Sequence, residues 1–229
     1  MFLSRCSAVI ALVLCLSSQS QAWEQVFDEG GVRVWQRPYA NSPLLEVRGE
    51  VTVAGSLNAV MALLRDADYN RHWVYRSGGA RIVHSSGYAQ AHVYGVVDAP
   101  FPMRDRDTVV RFDFTQDPVT RDIMITITNT PDRVPPVAGL VRVPDFGGFW
   151  QLLPATDGKV KVVYQVHGDP GGWVPVWIAN LAAARSVIRT LQNLPGALSR
   201  YRDARSPFVA ELEGQYSMGG LNSSSPAVP

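Results

Sequence analysis

The chain has 229 residues, 46% of them hydrophobic, with 21 Lys and Arg against 20 Asp and Glu and only 2 cysteines. That balance excludes the broad basic surface with which proteins grip nucleic acid or anionic membranes. The cysteine count excludes a disulfide framework, and the length suits one domain with a substantial core.

Arg5 followed by the short apolar run of residues 8–16, then Ser20-Gln21-Ala22, predicts a signal peptide over residues 1–22 with cleavage after Ala22. An uncleaved anchor is the competing reading, and the shortness of the apolar run counts against it. Neither Cys6 nor Cys15 follows the small residue that a lipoprotein cleavage site requires. The expected mature chain, residues 23–229, contains no thiol and carries 20 basic against 20 acidic residues. Export without disulfides points to a periplasmic location.

A short segment at residues 23–28 precedes a first strand at 32–37, and residues 45–51 alternate apolar with polar as a second strand. Ser56 caps a helix running to about Arg65. Four strand-like runs follow, centred near Ile82, Val93, Val110 and Ile125. A proline-rich connection over 131–144 leads to a strand at 149–153, and Asp157-Gly158 marks a hairpin into residues 160–169.

The stretch DPGGWVPVWIAN, residues 169–180, then joins that strand to the longest helical run of the chain. Gly171 and Gly172 permit positive φ, and Pro175 suits the first turn of a helix. Trp177, Leu181, Ala184, Ile188 and Leu191 share one helical face. Pro195 is expected to kink or restart the helix, which continues to about Tyr201. Residues 214–229, rich in Gly, Ser and Pro, read as a disordered tail. Strands followed by a long helix indicate an α+β domain over residues 23–213: about nine antiparallel strands, an early helix pair and a long terminal helix.

Catalytic signatures are scarce. His72, His84, His92 and His167 form no HxH or HExxH pair, and there is no GxSxG elbow, phosphate-cradling loop or dinucleotide fingerprint. No catalytic residue, metal or cofactor is therefore assigned.

Three stretches, in order, carry a family resemblance. Residues 169–180 resemble the segment that introduces the C-terminal helix of START domains, the StAR-related lipid-transfer family. DADYNRHW, residues 66–73, resembles that family's aspartate, aromatic and tryptophan run. PFPMRDRDTVV, residues 100–110, resembles its proline loop leading into a strand through an Arg-Asp pair. The resemblance implies a helix-grip fold, a curved sheet wrapped around the C-terminal helix with an internal apolar cavity. It also implies non-catalytic binding and transfer, or sensing, of a phospholipid, sterol or fatty acid by a monomer in transient contact with membranes. Burying an acyl chain is worth roughly 0.8 kcal/mol per CH2, so a modest cavity suffices.

On this reading Tyr94, Trp150, Tyr164, Trp177 and Leu181 are candidates for the cavity wall. Arg111, Arg142, His167 and Asn180 are candidates for polar anchors, Arg111 and Arg142 with their orientation open. Phe101, Pro102 and Met103 would form a gate that touches membranes, and Gly171 and Gly172 a hinge. Two alternatives stand beside the carrier: a helix-grip cyclase or hydrolase using His167 as a titratable group, and a module that binds a protein partner.

Overall fold

The computed structural model describes residues 22–210. The expected leader, except Ala22, and the expected tail at 214–229 lie outside the described residues. The strands are β1 (Glu24–Glu29), β2 (Val32–Tyr39), β3 (Ser42–Ala54), β4 (Ser77–Ser86), β5 (Gln90–Val97), β6 (Arg106–Gln116), β7 (Ile123–Asn129), β8 (Val141–Arg142), β9 (Asp145–Ala155) and β10 (Lys159–Asp169). The helices are α1 (Leu57–Arg65) and α2 (Val176–Leu198). The strands form one sheet in the order β1-β2-β3-β10-β9-β7-β6-β5-β4, antiparallel throughout, and β8 pairs parallel with the start of β6. This is the α+β helix-grip architecture, with ten strands where about nine are expected. The extra one, β8, lies inside the proline-rich connection.

Alternation decides the two faces. Val47, Val51 and Val53 of β3 share a side with Val160, Val162 and Val166 of β10, and the register carries that side through Trp150 and Leu152 to Ile123, Ile125 and Ile127, then to Phe112 and Phe114. All but Phe112, which packs half-buried against it, belong to the apolar core. Helix α2 lies across this concave face against β2 and β3. Contact is closest at Gly49, where a Cβ would come within 2.5 Å of Leu191 and Val187. Glycine there is what allows the helix to sit so near the sheet.

Ser56 caps α1 as expected, its Oγ accepting the Ala59 N–H at 3.1 Å. The expected helix pair is one α-helix followed by a 3-10 turn at Asn70–His72. Asp157 and Gly158 both adopt positive φ, as their hairpin requires. Pro175 occupies the N-cap of α2, with its carbonyl accepting from Ile178 and Ala179. Pro195 does not end the helix, which runs through to Leu198. The buried Leu191, Leu194, Ala197 and Leu198 hold that last turn on the core, and their burial outweighs the hydrogen bond that proline cannot make.

Candidate lipid-binding site

On the concave face Trp150 of β9 and Tyr164 of β10 are directly paired and stack at 3.8 Å with an interplanar angle of 9°. Trp73, delivered by the turn after α1, approaches Trp150 at 6.2 Å. Burial pushes the Tyr164 phenol well above its usual range. No described residue hydrogen-bonds that hydroxyl. Ile125, Leu152 and Val162 on the same face are almost wholly buried, whereas Val93, Phe112 and Tyr164 are only half-buried.

The motifs singled out in the sequence hold this face in shape. Asp66 accepts from the Tyr69 N–H at 2.9 Å and from the Tyr201 hydroxyl at 2.7 Å. Burial first, then that Asp66 bond, raises the Tyr201 pKa. Asp105 accepts from the Ala99 N–H at 2.8 Å, which closes the 99–105 loop on itself.

Several expected cavity residues lie elsewhere. Val110, Phe112 and Phe114 point inward, so Arg111 points outward, where its Nε donates to Asp113 at 2.7 Å. Tyr94 alternates with the inward Val93 and likewise faces out, beneath Arg81 and close to Asp107. Arg142 is consumed by structure. It donates twice to Asp107, at 3.0 and 2.8 Å, and to the carbonyls of Pro131, Val134 and Pro135. The Asp107 hydrogen bond raises its pKa. All five of its donors are engaged, leaving none for a ligand.

His167 also sits on the convex side. It stacks on Tyr39 at 3.8 Å, with Nε2 3.3 Å from Ser42 Oγ and Nδ1 3.7 Å from Asp145. That last gap exceeds hydrogen-bond range and Asp145 is 65% exposed, so the buried orienting carboxylate of a serine triad is missing. His72 and His84 are exposed and His92 faces away from α2, so among the described residues no imidazole enters the concave face.

Asn180 reaches the sheet instead of the interior. Its Oδ1 accepts from the Leu45 N–H at 2.9 Å, and its backbone carbonyl accepts from Gln36 at 3.3 Å. It thereby ties the early part of α2 to β2 and β3. Asn180→Ala is expected to cost about 1 kcal/mol, read as a small drop in thermal midpoint. If α2 moves to admit a ligand, the same substitution speeds exchange severalfold in a fluorescent-lipid transfer assay.

Trp177 and Leu181 are 69% and 51% exposed, because the buried stripe of α2 runs through Ala184, Val187, Leu191 and Leu194. Leu181 borders an open groove of about 390 Å³ between α2 and strands β1 and β2, with Phe27 and Ile188.

At the start of α2, Gly171 and Gly172 adopt φ of +68° and +67°. A Cβ on Gly171 would lie 3.1 Å from the Arg142 carbonyl and from Pro144. Segment 141–144 therefore meets the glycine turn on one side. On the other, the Val141 N–H donates to the Asp105 carbonyl at 2.9 Å. This bridge brings the 99–105 loop and the head of α2 to the same end of the molecule. The side chains presented there are Phe101 at 97% exposure, Trp173 at 87% and Trp177, with Pro102 exposed and Met103 half-buried. Trp173 is missing from the sequence-derived candidates, although it follows the two glycines directly.

Two residues stand out for what they lack. Trp73 Nε1 is buried without an acceptor. Arg106, 8% exposed, makes no ion pair with any described carboxylate, and its Nε is buried without an acceptor. Among the described residues no group of three or more His, Cys, Asp or Glu could hold a metal ion, and no helix is long and apolar enough to cross a membrane.

No family model matches the chain. A STAR-related lipid transfer protein from Xanthomonas axonopodis, known from its crystal structure, is 33% identical and superposes with a TM-score of 0.72 over 77% of this chain and 98% of that one. An uncharacterized protein of Pseudomonas aeruginosa is 28% identical over 181 residues, 79% of this chain and 89% of that protein. The phosphatidylcholine transfer protein of Bos taurus is 25% identical over 189 residues, 79% of this chain and 86% of its own. With one residue in three shared across nearly the whole Xanthomonas structure, on the same grip of sheet around helix, the chain belongs to the START (StAR-related lipid-transfer) family.

Proposed function

We propose that this protein is an exported, non-catalytic lipid carrier that takes a lipid against the concave face of its sheet and exchanges it with membranes. The observation that carries the reading is the incomplete burial of apolar side chains on that face. Val93, Phe112 and Tyr164 remain half-buried beside fully buried neighbours, and the Tyr164 hydroxyl has no partner among the described residues. Half-buried apolar surface gains from an acyl chain or a sterol-like ring, and a hydroxyl without a protein partner gains from a polar group on either. The relatives described as lipid transfer proteins support the same reading.

Uptake would occur at the end where Phe101, Trp173 and Trp177 stand in solvent. Aromatic side chains of this kind favour the boundary between headgroups and hydrocarbon. In this account the 99–105 loop and the head of α2 separate there, and the positive-φ turn at Gly171 and Gly172 serves as the hinge. A periplasmic location, from the expected leader, would make envelope lipids the available cargo. The test is transfer of pyrene-labelled phosphatidylcholine between neutral vesicles. The protein should speed transfer in proportion to its concentration, and no acceleration with any of several lipid classes overturns the reading.

A further inference from the structure

Arg106 opens β6 in regular register with β5, from the Arg106 and Val97 pair to the Asp113 and Gln90 pair. It therefore shares the side of Thr108, Val110, Phe112 and Phe114, the concave side, while Asp107 takes the convex side with Arg142. The two arginines could hardly differ more. Arg142 has every donor engaged, whereas among the described residues Arg106 makes one hydrogen bond, from Nη1 to the carbonyl of Arg104 two residues back, at 2.6 Å. Asp105, its sequence neighbour, spends its carboxylate on the Ala99 N–H. Burial lowers the Arg106 pKa and the Asp105 charge offsets part of that effect, but a guanidinium stays charged in proteins. A buried cation without a counterion costs stability, and a fold keeps one when something else supplies the anion.

Resting on the lipid-carrier reading, we propose that Arg106 is the seat for an oxyanion borne by the ligand, a carboxylate or phosphodiester attached to an apolar tail. Nε is buried without an acceptor and Nη2 makes no hydrogen bond to a described residue, which leaves open the edge that meets two oxygens of such a group at once. The seat lies where the loop that carries Phe101 runs into the sheet. The Arg104 carbonyl on Nη1 belongs to that loop, so lifting the loop uncovers the arginine as the tail enters. The anion then replaces a backbone carbonyl as its partner.

The test pairs probes that differ only at the head: pyrenedodecanoic acid against pyrenedodecanol, and pyrene-labelled phosphatidylglycerol against the matching diacylglycerol. The delipidated full chain should bind at least one anionic probe about tenfold or more tightly than its neutral partner. Which pair shows the larger gap separates carboxylate from phosphodiester. R106Q should abolish the gap and R106K should retain part of it. Because the unpaired charge is removed, R106Q should also leave the thermal midpoint of the empty protein unchanged or raise it by a few degrees. Equal binding of acid and neutral probe by the unmodified protein overturns the assignment while leaving the carrier reading intact. So does a gap that survives R106Q, or a midpoint lowered by more than about 5 °C, which would make Arg106 a structural brace. Inorganic phosphate that displaces the anionic probes as well as they displace one another would mark a free-anion site and overturn the lipid assignment. Binding of none of the four probes defeats both readings together.

Discussion

Replacing Arg142 with Met is expected to cost about 3–5 kcal/mol, because it strands the Asp107 carboxylate, whose side chain is only 1% exposed, and leaves three carbonyls without a donor. At roughly 2–4 °C per kcal/mol for a domain of this size, the thermal midpoint should fall by about 10 °C or more. The loss has a second consequence at the mouth. Segment 141–144 touches Gly171 and bonds the end of the 99–105 loop, so loosening it should also expose both to protease. Combining R142M with Asp107→Asn should recover part of the stability, since the stranded charge is then gone. Arg111→Ala, by contrast, removes a half-exposed pair with Asp113 and should change stability by less than about 1 kcal/mol. Comparable losses from the two substitutions would show that the roles assigned to these arginines are wrong.

The second large effect concerns Trp173 and Trp177. Each presents an indole to solvent in the free protein, so neither contributes much to folding. If they enter the interfacial zone of a bilayer, burying the pair is worth about 3–4 kcal/mol, equivalent to roughly two to three orders of magnitude in vesicle partitioning. Changing both to Ser should therefore abolish most vesicle association and slow lipid transfer to a similar degree, with the melting curve unmoved. Phe101→Asp should act in the same direction with a smaller effect. Retention of full vesicle binding by the double variant would mean that this end of the molecule is not the docking surface.

The strands, the Ser56 cap and the Asp157-Gly158 hairpin were legible in the sequence because each follows from local physics: period-two alternation, one side-chain oxygen at a helix start, two positive-φ positions. The orientation of Arg111 stayed open in the sequence, because alternation alone does not say which face of β6 is concave; the fold settles it by giving the inner face to Val110, Phe112 and Phe114. The role of Arg142 was not legible, because its acceptors come from Asp107 and the irregular segment 131–135, and neither can be placed before the chain is folded. Strand β8 is two residues long and has no period to detect. Arg106 and Arg104 alternate with two aspartates, and which of these charges turns inward depends on where β6 begins. Trp177 and Leu181 misled for a different reason. Hydrophobic spacing records that a side chain avoids water, and it does not distinguish a protein interior from a membrane as the place of refuge.

The central claim is that the concave face accepts a lipid, and native mass spectrometry tests it directly. The full chain is incubated with vesicles of mixed phospholipids and fatty acids, separated from them, and weighed under conditions that preserve noncovalent complexes. One lipid molecule per chain, lost when a bulkier side chain is placed on the concave face, as in Phe112→Trp, is the result this account predicts. A chain that emerges at its bare mass from every vesicle composition, or one whose bound lipid is indifferent to substitutions on the concave face, would contradict it.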